Sequence, residues 1–272
     1  MDYALLVVSI LFAVLNNIFL HKYNEREEKC NIFTFNAAVS LLWAVILFAT
    51  GLGFHAVPLS TIGYGVLYGS MIALFLLFKM LALGSGPVSV TALIGCCSLI
   101  IPTLAGVIVW KESVSALQVT GFIILFAALF LCVDPKSDVR ISKRWIVYCL
   151  IFFLAAGING ITMKVFNLHG ETSRINEMMI IASITACVFF SLISAVTGAR
   201  RKARGEPFCT VRPERKIVLR CMVYILLCGI VSCGYQRLNL YLTGALPSIV
   251  FFPIFNGAVI FLSCLCGVFP VP

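Results

Sequence analysis

Residues 13–24 read Ala13-Val-Leu-Asn16-Asn-Ile18-Phe-Leu-His21-Lys22-Tyr23-Asn24, and 143 residues later the chain reads Ala156-Gly-Ile-Asn159-Gly-Ile161-Thr-Met-Lys164-Val-Phe166-Asn167. Four of these 12 positions are identical: Ala13/Ala156, Asn16/Asn159, Ile18/Ile161 and Asn24/Asn167. A second match, at a shift of 160, lays Gly84-x-x-Pro87 on Gly244-x-x-Pro247. The two matches keep the same order along the chain, so the first part of the sequence repeats as the second.

Both copies lie in apolar surroundings. Of the 272 residues, 61% are hydrophobic and 11% charged, under half of the roughly 25% charged content of soluble domains, and the mean hydropathy is +1.06. Too little polar surface is available to cover a soluble domain. That excludes a soluble enzyme, a disordered chain and a nucleic-acid-binding domain, and leaves an all-α integral membrane protein in contact with the lipid bilayer. A bilayer core needs about 20 apolar residues per helix. Nine such segments occur, at about 3–20, 32–52, 61–83, 87–109, 115–133, 145–166, 175–197, 218–242 and 246–268. Backbone polar groups cannot go unpaired in lipid, so each segment is expected to be helical. Only Asp2 precedes the first run, without a basic n-region or a small-residue cleavage site, so that run reads as a membrane helix and not a secretory signal.

The repeat unit holds five helices, and an odd number places the second copy upside down. Inverted five-plus-five repeats suit transporters, whose substrate sites lie near the midplane between the halves. The repeat also predicts a tenth helix near 275–293, beyond Pro272, so the sequence reads as nine helices with the tenth missing, either by truncation or as a nine-helix variant. Lys and Arg number 15 in the loops of one side (Lys22, Arg26 and Lys29; Lys136, Arg140, Lys143 and Arg144; eight between Arg200 and Arg220) against Lys111 and Arg174 on the other. The positive-inside rule makes loops 21–31, 134–144 and 198–217 cytoplasmic and the N-terminus external. This placement also accounts for the net charge of +9 without a nucleic-acid partner. Short loops point to a bacterial plasma membrane. Most of the 12 cysteines sit inside apolar runs, where a free thiol packs as a small hydrophobe.

The stretch Ala82-Leu-Gly-Ser-Gly-Pro-Val-Ser-Val-Thr-Ala-Leu93, then Pro102, then Trp110-Lys-Glu112-Ser-Val-Ser, then Gln118-x-x-Gly121 resembles the EamA-type transporters of the drug/metabolite transporter superfamily. The resemblance implies two EamA-like repeats, 1–134 with five helices and 144–272 with four. It implies a central cavity, alternating access, and efflux or uptake of a small metabolite or drug-like solute, and it leaves a homodimer open. Many relatives carry a cytoplasmic N-terminus, against the charge count here.

Three cations fall within spans: Lys79, Lys164 and Arg237. An ionisable group in the membrane is costly and marks a site, and no carboxylate sits equally deep. They point to an anionic or zwitterionic substrate, or, alternatively, to side chains that snorkel to the interface. Asn16 and Asn159 are repeat-equivalent amides, joined by Asn239 (the repeat position of Lys79) and Asn256. They could hydrogen-bond substrate or glue helices together. Tyr235 and Gln236 adjoin Arg237. Pro102 and Pro253 interrupt spans four and nine and predict kinks. Gly157 and Gly160 form a small-residue face for close packing.

Enzyme chemistry finds no support: His21, His55 and His169 lie in or beside loops, and no nucleophile triad, phosphate-binding glycine loop, metal site or cofactor motif occurs. Without an intramembrane carboxylate for protons, exchange or facilitated flow is favoured. The alternative to a transporter is a truncated, non-transporting membrane protein or an accessory subunit.

Overall fold

The computed structural model describes residues 2–24, 31–51, 57–113, 115–131, 142–169, 172–203 and 215–268. The charge-bearing stretches 25–30, 134–141 and 204–214, together with His55 and 269–272, lie outside the described residues. Among those described, every regular element is helical: α1 (Asp2–Asn24), α2 (Ile32–Thr50), α3 (Leu59–Leu83), α4 (Val88–Cys97), α5 (Ile100–Ile108), α6 (Ala116–Leu131), α7 (Lys143–His169), α8 (Ile175–Ala203), α9 (Arg215–Ala245) and α10 (Ser248–Val268), with one 3-10 turn at Thr172–Arg174. Six of these helices (α1, α2, α3, α7, α8 and α9) are long and apolar enough to cross a membrane.

The expected segments recur, and α1, α3, α7, α8 and α9 overrun them, while α2, α6 and α10 fall one or two residues short. The run at 145–166 becomes α7 and the run at 218–242 becomes α9, each two or three residues longer at both ends. Apolar composition stops where hydrocarbon would stop; helical hydrogen bonding continues into the polar margin. Local residues set the helix starts. Asn31 Oδ1 accepts from the Phe33 N–H at 3.1 Å to cap α2. Pro58 and Pro87 precede α3 and α4.

The fourth segment is two helices, not one. Ser98 N–H donates to Gly95 O and Leu99 N–H to Cys96 O, both at 3.3 Å, which tightens the chain to i→i−3 bonding. Pro102 has no N–H for the Ser98 carbonyl, which accepts instead from Ile101 at 3.2 Å. The proline's effect therefore appears one turn before it. Pro253, by contrast, sits inside α10, which continues as helix on both sides of it.

Helix α2 packs on α8, α3 on both α7 and α8, and α1 on α9, while α10 lies against α1 and α5. One core gathers Trp43, Tyr68, Phe166, Met178 and Met179; another joins Leu6, Leu242 and Phe251 across α1, α9 and α10. A Cβ on Gly160 would lie 2.9 Å from the Pro102 ring, so a bare backbone there lets α7 approach α5. The outward surface carries exposed Leu11, Val45, Phe48, Leu150, Leu192 and Ile230, as a lipid-facing bundle would.

Candidate functional site: a central polar cavity and an ionic clamp

A cavity of about 310 Å³ opens in the middle of the bundle. Helix α1 contributes Asn16, Asn17 and Leu20; α3 contributes Phe75 and Lys79; the α4–α5 break contributes Gly95, Ser98, Leu99 and Pro102. The second half contributes Asn159 and Met163 from α7, Tyr235, Gln236 and Asn239 from α9, and Phe251, Phe252, Phe255 and Asn256 from α10. Six of the eight residues singled out as a cavity in the sequence, Asn16, Lys79, Asn159, Tyr235, Asn239 and Asn256, thus meet in one space with Pro102.

The polar groups are held unequally. Ser9 Oγ donates to Asn239 Oδ1 at 2.7 Å, and Tyr68 OH donates to Gln236 Oε1 at 3.2 Å. Asn256 Nδ2 donates to the Phe252 carbonyl of its own helix at 2.8 Å. Asn159 Oδ1 is buried with no partner, and such an atom pays a desolvation penalty unless something donates to it. Lys79 Nζ stands 5.5 Å from the Phe75 ring centroid, a cation–π contact. No described carboxylate pairs with it. The chemistry on offer is one cation, six amides and a wall of aromatic rings.

Lys164 does not line this cavity. It is paired with Glu112 at 2.8 Å, and the two side chains are only 7% and 13% exposed. Lys164 Nζ also donates to the Leu246 carbonyl at 3.3 Å. Glu112 accepts from the Ser248 backbone N–H at 2.6 Å and from Ser248 Oγ at 3.1 Å, at the N-terminus of α10, where the helix dipole favours an anion. Lys164 thus ends on a largely buried carboxylate, a partner that the sequence did not mark for it. Lys111, with φ of 51°, turns the chain so that the Glu112 N–H reaches Gly106 O at 3.1 Å. Arg237 is also placed elsewhere. It lines a separate cleft of about 350 Å³ with Leu5, Ser173, Ile175, Asn176, Leu238 and Tyr241.

The aromatic lining went unmarked in the sequence, although its signal was there. Phe252 is four residues from Asn256 and Phe75 four from Lys79, so each shares a helix face with a polar residue that had been marked. A further tie, Asn167 Nδ2 donating to Leu240 O at 2.6 Å and Thr243 Oγ1 at 3.0 Å, joins α7 to α9; its signal was the Asn24/Asn167 match.

No family model matches the chain, and no curated protein matches it. A solved structure described as "Crystal structure of protein" superposes with a TM-score of 0.73, covering 100% of this chain and 89% of its own, at 14% identity. At that identity the likeness concerns the fold alone.

Proposed function

We propose that the chain is an integral membrane transporter of the drug/metabolite type, moving a small solute by alternating access through the central cavity. The carrying observation is that the lining is built from repeat-equivalent residues. At a shift of 143, Ala13, Asn16 and Leu20 fall on Ala156, Asn159 and Met163; at a shift of 160, Phe75, Lys79 and Leu99 fall on Tyr235, Asn239 and Val259. All twelve line the cavity. The packing is reciprocal in the same sense: α3 on α7 becomes α9 on α1 when the halves are exchanged, and α2 on α8 maps onto itself. These relations support two inverted EamA-like halves with a site between them.

In this reading α4 and α5 together make the fourth span. The basic loops face the cytoplasm of a bacterial cell, and Lys79 draws an anionic or zwitterionic solute. The Glu112–Lys164 clamp closes the end of the bundle away from the basic loops and must loosen when that end opens. The test is transport by purified protein in liposomes, screening amino acids, nucleobases and organic anions, with K79Q and N159A beside the native chain. Uptake above protein-free vesicles, reduced in both variants, is expected. Flux that neither substitution alters moves the site elsewhere, and no flux of any solute class favours a non-transporting membrane protein.

A further inference from the structure

We propose that the cleft at Arg237 is a phospholipid site, in which the guanidinium holds the headgroup phosphate. Arg237 belongs to a membrane-length helix and is exposed, and no described carboxylate lies within ion-pair distance of it. An unpaired cation at a membrane surface attracts anionic headgroups. The cavity that would hold a solute does not include it. Its cleft lies instead at one end of the bundle, between the beginnings of α1 and α8 and the late part of α9: Leu5 is the fourth residue of α1, and Asn176 the second of α8. That is headgroup depth for helices that cross a bilayer.

The cleft's chemistry matches a phosphodiester with a hydroxylated head. Arg237, the Tyr241 hydroxyl one turn further along the same face, and the Ser173 hydroxyl are donors for phosphate oxygens. Asn176 Oδ1 is buried without a partner and can accept from a headgroup hydroxyl. An unpaired guanidinium favours a headgroup of net negative charge, so phosphatidylglycerol is favoured over zwitterionic phosphatidylethanolamine. Leu5, Ile175 and Leu238 offer apolar walls to the first methylenes. Tyr241 is 46% exposed, and its ring with the Leu5 and Leu238 walls gives an amphipathic edge that favours a lipid over a soluble anion.

The experiment is native mass spectrometry of protein taken from vesicles of dioleoyl-phosphatidylcholine with dioleoyl-phosphatidylglycerol. The native chain should retain one phosphatidylglycerol that R237Q binds about tenfold or more weakly, with R237K between them; N176A serves where R237Q does not fold, and should weaken the same retention. Equal phosphatidylglycerol retention in native and variant chains overturns the proposal, as does equal retention of phosphatidylcholine. Arg237-dependent binding of free glycerol 1-phosphate without lipid retention overturns the lipid assignment in favour of a soluble anion.

Discussion

The two Gly-x-x-Pro turns, 84–87 and 244–247, share a sequence skeleton and are locked in opposite ways. At the first, the Trp145 ring sits against Gly86, and its Nε1–H donates to Thr91 Oγ1 at 3.0 Å, while Thr91 Oγ1 donates to the Pro87 carbonyl at 2.8 Å. The lock is neutral and largely aromatic. At the second, Glu112 and Lys164 form a buried ion pair on Ser248 and Leu246. Both locks recruit α7, through Trp145 near its start and Lys164 near its end, so one helix braces both turns. Two turns with one sequence skeleton can thus be secured by unlike side chains. An ionic lock is strong only while both partners are present; an aromatic lock degrades by degrees.

The largest effect should therefore come at the ionic turn. Glu112→Ala leaves the Lys164 ammonium buried without its counter-charge, which costs about 3–5 kcal/mol. Thermal unfolding in detergent micelles measures it, and a loss under about 1 kcal/mol would show the pair to behave as a solvated one. The exchange E112K/K164E keeps a pair but puts a cation at the positive end of α10 and removes the acceptor for the Ser248 N–H. It should stay about 1–2 kcal/mol below the native chain. Full rescue would mean that the α10 N-terminus contributes nothing to the clamp.

Glycines set the next scale. A Cβ on Gly106 would lie 2.7 Å from Glu112 Oε2 and 2.8 Å from Ser248 Cβ, while one on Gly86 would overlap the Trp145 ring. Each Gly→Ala change should cost about 1–3 kcal/mol by overpacking. The comparison sharpens if G106A also weakens the ion pair, because E112A should then cost less in that background than in the native one. Strict additivity of the two changes would uncouple Gly106 from the clamp.

The contrast between the turns also marks how far the sequence could be read. Both turns were legible, because Gly and Pro act locally on the backbone. The apolar runs were legible because lipid imposes composition over twenty residues at a time. Asn16, Asn159, Lys79 and Asn239 were legible as polar residues in apolar runs, and the repeat register paired them. The Glu112–Lys164 pair was not: its members lie 52 positions apart on separate helices, and no local pattern links them. Lys164 alone looked like a cation near a helix end, and Glu112 like a loop residue. Arg237 beside Tyr235 and Gln236 suggested a shared space, but neighbours in a helix point about 100° apart, and the structure sends it to a different cleft. The break at Ser98 was displaced from Pro102 because a proline acts on the carbonyl four residues back.

The smallest effect belongs to the neutral turn. Trp145→Phe keeps most of the ring against Gly86 and removes only the Nε1–H donor. Thr91 Oγ1 retains its own bond to Pro87, so no buried donor is stranded. The loss should be about 0.5–1.5 kcal/mol, the worth of one ordinary hydrogen bond, and it should not change with salt. The same unfolding series in high salt distinguishes the locks. W145F should lose the same amount at both ionic strengths, and a marked salt dependence would mean that charge, such as that of Lys143 and Arg144 beside it, reaches this turn as well.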